Sequence, residues 1–137
     1  MAKTLSLSQE ERTILQQILR TQSQRSMYPM AFDKLIHDWA RFVTTVERGY
    51  VQSIYEYTND LSTRDLIQEI LDKVPSKLRL KLLASIEPWD QRFFASTKPV
   101  DKPVRLNRKG KAAPWHVRVP MNPGLELEKD LRSEGLL

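Results

Sequence analysis

The sequence predicts an all-α fold: a bundle of four to five helices, an extended, basic, proline-rich C-terminal arm and a short terminal helix. Two observations predict it. Up to residue 96 the apolar side chains recur at steps of three and four, which is the helical period. From residue 97 to 124 that period stops, and five prolines exclude a regular helix. We therefore divide the 137 residues into a helical domain, residues 1–97, and an arm, residues 98–137.

The first helix is predicted to begin at Ser8. Ser8 and Glu11 have the spacing of a capping box, in which each side chain accepts a hydrogen bond from a free amide at the helix start. The apolar residues that follow share one helix face: Ile14, Leu15, Ile18 and Leu19. Residues 21–26 are polar and are expected to form a linker.

The longest apolar stripe predicts a second helix from Pro29 to Tyr57. A helix of about 29 residues would span roughly 43 Å. Either it is the central helix of the bundle, or it bends at Gly49, because a glycine inside a helix costs about 1 kcal/mol.

Serines and prolines mark the expected boundaries of the remaining helices of the body. Ser62 is the predicted cap of a third helix, with Asp65 at the position that completes its capping box. Pro75 is expected to end that helix, Ser76 to cap a fourth, and Pro88 to begin a short fifth.

The arm contains two segments with their own patterns. Residues 115–119 alternate apolar and polar side chains, as a strand does, but an all-helical body offers no strand to pair with. That segment must pack as an extended arm, pair with another chain or stay loose. A final short helix is predicted from Leu125 to Glu134, with Gly135 as its C-terminal stop.

Positive charge is concentrated in one part of the chain. Residues 1–97 carry a net charge of +1, residues 98–119 of +6 and residues 120–137 of −2. The chain contains no cysteine, which excludes disulfides and thiolate metal sites. Residues 1–8 do not resemble a signal peptide, and no apolar run is long enough to cross a bilayer. We expect a cytoplasmic protein that does not bind membranes.

Two groups of ionisable residues in the body are candidate metal, acid–base or docking sites. Asp33, His37 and Arg41 lie four residues apart on one helix face, as metal ligands or an oriented general base would, but a solvated face is the preferred interpretation. The second group is a set of carboxylates that could act in acid–base chemistry, bind a cation, remain solvated or dock the basic arm: Glu47, Glu56, Asp60 and Asp65.

The arm and one tyrosine are the predicted binding residues. Cations beside an indole can contact phosphates and stack on a base, or fold onto a protein partner. Tyr55 lies off the apolar stripe to which Tyr50 and Tyr57 belong, so its ring is expected to be exposed and suited to contacts. The complete predicted binding set is Arg105, Arg108, Lys109, Lys111, Trp115, His116, Arg118 and Tyr55.

These patterns favour a protein that is not an enzyme and carries no cofactor or metal. The sequence has no glycine-rich phosphate loop, no nucleophile elbow and no zinc-binding spacing. The leading hypothesis is a protein-interaction module (an adaptor, immunity or assembly subunit) that binds another protein or itself through the arm and an exposed helix face. The alternative is a protein that binds RNA or single strands through residues 105–115. A hydrolase or metal enzyme built on Asp33 and His37 is the third hypothesis.

Overall fold

Four long helices, a short terminal helix and a two-stranded sheet make up the computed structural model, which describes residues 6–26 and 31–137. The predicted helical bundle is confirmed for these residues. In chain order the elements are α1 (Gln9–Ser26), α2 (Phe32–Arg48), α3 (Ile54–Lys73), α4 (Ser76–Ala95), β1 (Thr97–Pro99), a 3₁₀ helix (Pro114–Val117), β2 (Arg118–Pro120) and α5 (Leu125–Ser133).

Helix α1 begins with the predicted capping box. The amide of Ser8 donates to Oε1 of Glu11 over 2.9 Å, and the amide of Glu11 donates to Oγ of Ser8 over 3.1 Å. The polar linker predicted over residues 21–26 is wrong, because α1 continues to Ser26. Its polar C-terminal part is held by contacts with α3: Gln22 is buried, and its Oε1 accepts a hydrogen bond from Nζ of Lys73.

The predicted helix of about 29 residues is two helices. Helix α2 ends at Arg48, and Gly49 follows with a φ of +113°, a conformation that side chains with a Cβ rarely adopt. The next residue leaves the helical path because its backbone pairs with the arm: the amide of Tyr50 donates to the carbonyl of Asn122. The bend expected at Gly49 is therefore a complete break, and the start predicted at Pro29 lies outside the described residues.

Helix α3 begins eight residues before the predicted third helix. Oγ of Ser53 accepts a hydrogen bond from the amide of Glu56 and caps the helix. Ser62 and Asp65 therefore lie inside α3, and the capping roles predicted for them are wrong. The predicted end is confirmed, since the last residue of α3, Lys73, comes two positions before Pro75.

Helix α4 differs from the prediction at Ser76 and at Pro88. Its N-cap is Pro75, so Ser76 is the first helical residue and makes no side-chain cap. The separate fifth helix is wrong, since α4 runs without interruption past Pro88 to Ala95. Both Pro88 and Ala84, whose carbonyl loses its amide partner there, are exposed, so water can satisfy that carbonyl.

Aromatic rings and one buried ion pair hold α2, α3 and α4 together. The rings of Trp39, Phe42, Tyr57 and Phe93 lie 5.2–6.0 Å apart between centroids, and all four side chains are buried. Beside them the buried guanidinium of Arg64 donates to both carboxylate oxygens of Asp90, which also accepts from the indole nitrogen of Trp39. Arg64 is thus paired, as a buried charge must be.

The arm packs on the helices and contributes to the same core. The strand-like pattern of residues 115–119 is only partly realised, because residues 115–117 belong to the 3₁₀ helix and only Arg118 and Val119 to a strand. That strand, β2, pairs with β1 in antiparallel register, with Lys98 opposite Val119, so its partner lies within the chain. Helix α5 ends one residue before the predicted Glu134, and Gly135 has a φ of +72°, as the predicted stop requires. Four arm side chains are buried in the core: Trp115, Val119, Leu127 and Leu131. In the described residues, no helix combines the length and hydropathy that crossing a membrane requires.

Candidate functional site

Asp65 of α3 fastens the arm to the helical body. The indole nitrogen of Trp115 donates to Oδ1 of Asp65 over 2.8 Å, and Nε2 of His116 lies 2.7 Å from the same oxygen. Nε of Arg105 lies 3.6 Å from the other oxygen, Oδ2. The side chain of Asp65 is only 12% exposed, so its negative charge is balanced by these arm residues rather than by water. One of the suggested roles of the acidic group, docking the arm, is therefore realised by Asp65 within the chain.

Backbone pairing within the arm and two arginines stabilise this arrangement. The amides of Val100 and Val104 donate to the carbonyls of Val117 and His116, so residues 100–104 lie beside the 3₁₀ helix. Nη1 of Arg105 donates to the carbonyl of Thr58 in α3 over 2.7 Å. The guanidinium of Arg64 lies 4.3 Å above the ring of Trp115, a cation–π contact that joins the arm to the buried ion pair.

Residues 105–111, which we call the basic loop, are held in a tight turn with their cations outward. Oδ1 of Asn107 accepts hydrogen bonds from the amides of Lys109 and Lys111, and the amide of Asn107 donates to the carbonyl of Lys111. Gly110 closes the turn with a φ of +73°. Arg108, Lys109 and Lys111 are exposed. The loop amides are thus used within the turn, and the exposed cations are what the loop offers to a partner.

A cleft of about 390 Å³ lies between α3 and the basic loop, and we call it the α3–arm cleft. Carboxylates of one helix face line the α3 side, and cations line the arm side. Both sides also contribute apolar groups to the lining. The α3 side carries Asp65, Glu69 and Asp72; the arm side carries Arg105, Arg108 and Lys109; the apolar groups are Leu66, Ala113 and Trp115.

Some of these charges are satisfied within the chain and others are available to a partner. Asp65 and Arg105 belong to the attachment of the arm. Arg108 and Glu69 approach to 3.8 Å, and Arg108 remains 56% exposed. Among residues 6–26 and 31–137, Asp72 accepts a hydrogen bond only from the neutral amide of Gln68, and Lys109 makes no ion pair. Both side chains are exposed. Within these residues an anion and a cation thus have no charged partner on opposite sides of the cleft.

Three residues of the predicted binding set have internal roles. Trp115 and His116 are buried, so the indole is not an exposed stacking platform. Nδ1 of His116 accepts the amide hydrogen of Ala113, which leaves its second nitrogen facing Asp65. Arg118 donates to the hydroxyl and the carbonyl of Thr97 and stabilises the β1–β2 pair.

Of the other five predicted residues, Arg105 belongs to the attachment of the arm, and four are exposed: Tyr55, Arg108, Lys109 and Lys111. Tyr55 is 78% exposed, as predicted, and its position precedes Thr58, Ser62, Asp65 and Glu69 at helical steps of three and four. It therefore extends the face of α3 on which the arm lies. The structure brings Arg105, Arg108 and Lys109 together in the lining of the cleft, which does not include Tyr55 or Lys111.

The two ionisable groups of the body do not form a reactive cluster. Asp33, His37 and Arg41 are exposed on α2, as in the preferred interpretation, and no group of three or more metal-binding side chains occurs among residues 6–26 and 31–137. Asp60 accepts a hydrogen bond from the hydroxyl of Tyr50 over 2.7 Å, and its burial raises the pKa of its carboxyl group.

The acidic side of the cleft was missed by the sequence reasoning. Asp65, Glu69 and Asp72 follow each other at steps of four and three, which places them on one face of α3. The predicted third helix also contained all three residues, but the local sequence does not show that the arm packs beside this face. Comparison with protein-family models, curated proteins and solved structures finds no match.

Proposed function

We propose that this protein is a non-catalytic interaction module, of the adaptor, immunity or assembly type, that binds a protein partner in the α3–arm cleft. The observation that carries the proposal is the opposite charge of the two sides of the cleft, whose lining also includes the partly exposed apolar groups Leu66 and Ala113. Protein surfaces present cations, anions and apolar groups together, so a segment of another protein, or of a second copy of this chain, can satisfy both sides.

The same arrangement disfavours a nucleic-acid ligand in the cleft. A phosphate backbone carries only negative charge, and Glu69 and Asp72 would repel it at short range. Burial of Trp115 removes the aromatic surface on which a base would stack. Binding of RNA stays the second candidate because Lys109 and Lys111 are exposed and make no ion pair in the described residues.

Chemistry at the attachment of the arm is disfavoured by geometry. His116 is fully buried, Nδ1 accepts an amide hydrogen, and Nε2 faces Asp65. A general base has to come within hydrogen-bond reach of the proton that it removes, and the complete burial of this imidazole prevents a substrate from approaching either nitrogen. We therefore assign the His116–Asp65 pair a structural role. We also propose that the protein acts in the cytoplasm.

Site-specific photo-cross-linking tests the proposed function. We expect a photoreactive phenylalanine analogue in place of Lys109 to give a discrete adduct in cells of the native host. The adduct should survive nuclease treatment and disappear with protease, because the group would lie against a bound protein. The same analogue in place of Leu80, which is 69% exposed on α4 outside the cleft, is the matched control and should give no such adduct.

Two results would contradict the proposed function. An adduct at position 109 that disappears after nuclease treatment would identify a nucleic acid and support the second candidate. Adducts that are equally abundant at positions 109 and 80, or absent from both, would exclude the α3–arm cleft as the contact surface.

A further inference from the structure

We infer that the occupant of the α3–arm cleft is a helical segment that presents a basic side chain to α3, an acidic side chain to the basic loop and an apolar side chain between them. This inference rests on the proposed function and specifies the chemistry of the partner. Recognition of a single-sign segment, whether acidic or basic, is excluded on this account, because one side of the cleft would then face a like charge.

In the described parts of the chain, the unpaired charges on each side of the cleft determine which charges the partner segment must carry. On the α3 side Asp72 is exposed and has no cation beside it among the described contacts, and Glu69 is shared with Arg108 at 3.8 Å. On the arm side Lys109 is exposed and free of ion pairs in the described residues. A cation of the partner therefore belongs next to Asp72, and a carboxylate next to Lys109.

The backbone of the basic loop favours recognition through side chains. A partner strand could form β-sheet hydrogen bonds with the loop only where backbone amide and carbonyl groups are unpaired. Both backbone groups of Asn107 and of Lys111, and the amides of Lys109 and Gly110, are already bonded within the loop. The opposite side of the cleft is a helix whose backbone is bonded internally. A strand therefore finds little to pair with here.

The dimensions of the cleft fit a helix that inserts a few side chains. Its volume of about 390 Å³ is at the lower end of the range for ligand pockets. Glu69 and Asp72 are three residues apart, so they rise about 4.5 Å along α3. Side chains at three- or four-residue spacing on a partner helix have the same separation, and a helix can carry cations and anions on the two sides of an apolar stripe.

Three synthetic 15-residue helices of one alanine–leucine framework test this inference. The first carries lysines on one side of the leucine stripe and glutamates on the other; the second carries glutamates on both sides and the third lysines on both. With the full-length protein at about 0.1 M salt, we expect fluorescence anisotropy to show about 10-fold tighter binding of the mixed helix than of either single-sign helix.

Charge reversals should then change the preference in opposite directions. Asp72→Lys should favour the all-glutamate helix, and Lys109→Glu should favour the all-lysine helix. The double variant should again prefer the mixed helix, which can enter in the reverse direction. Lys129→Glu makes the same charge change on an exposed residue of α5, outside the cleft, and should leave the order of affinities unchanged.

Failure of this inference can be distinguished from failure of the proposed function. Equal affinities for the three helices, no binding of any of them at about 1 mM, or the same change of preference in both single variants would overturn the inference. The proposed function would still stand if the cross-linked adduct at position 109 is a protein. If that adduct is a nucleic acid, both fail.

Discussion

We expect the fragment of residues 1–97 to lose its cooperative unfolding transition. The sequence pattern separates this part from the arm as a helical domain, but Trp115, Val119, Leu127 and Leu131 of the arm are buried in the same core. Removing a large buried apolar side chain typically costs about 2–5 kcal/mol. Four such losses are on the order of 10 kcal/mol, which is comparable with the whole stability of about 5–15 kcal/mol that is usual for a domain.

Circular dichroism and thermal melting of the fragment measure this effect. The expected result is partial helix content with a broad, non-cooperative melt, whereas the full chain melts cooperatively. A matched control removes residues 134–137 only, because three of these four residues are exposed and α5 stays complete. A cooperative melt of residues 1–97 close to that of the full chain would show that the helical domain is independent and that the arm adds little to its core.

We expect Asp65→Ala to destabilise the protein by about 3–5 kcal/mol and to release the arm from α3. The substitution removes the hydrogen-bond acceptor of the Trp115 indole and the group that faces Nε2 of the fully buried His116. A buried polar group left without a partner costs about 1–3 kcal/mol, and this substitution takes away the group that both the Trp115 indole and the His116 imidazole face.

Urea unfolding gives the free energy, and hydrogen exchange at the amides of Ile54 and Gly124, whose hydrogen bonds join the body to the arm, reports whether the arm is attached. Asp72→Ala is the control, since it removes an exposed carboxylate of the same helix face and should change the free energy of unfolding by less than about 0.5 kcal/mol. Equal effects of the two substitutions, with exchange unchanged, would show that Asp65 does not hold the arm.

The helical part of the fold could be predicted from local chemistry. The capping box at Ser8, the end of α3 before Pro75 and the stop at Gly135 depend on residues close in sequence, and the structure confirms them. The effects of Gly49 and Pro88 on their helices could not be predicted from nearby residues, because they depend on the tertiary structure. Whether Gly49 ends a helix depends on the pairing of Tyr50 with Asn122, 72 positions later. Whether Pro88 breaks α4 depends on the exposure of its surroundings, which the local sequence does not reveal.

The candidate site was predictable only in part. The exposed ring of Tyr55 and the cations of the basic loop follow from periodicity and composition. The burial of Trp115 and His116 does not, because it results from contacts with Asp65, 50 residues away in the case of Trp115. The helical spacing of the acidic side of the cleft can be read from the sequence, but its position opposite the basic loop depends on contacts between distant residues. Long-range pairing was therefore the information that the sequence reasoning lacked.

The central claim is that the basic loop acts together with the acidic side of α3. The most direct test measures how tightly the isolated protein binds mixed-sequence single-stranded RNA across a range of salt concentrations. We predict affinity weaker than about 10 μM at 0.15 M salt, and tighter binding by Asp72→Lys, because that variant replaces a repelling carboxylate with a cation. Micromolar or tighter binding by the unmodified protein would contradict the account. So would a logarithmic salt dependence with a slope of about 3, as four single-strand phosphate contacts produce, that is unaffected by Asp72→Lys.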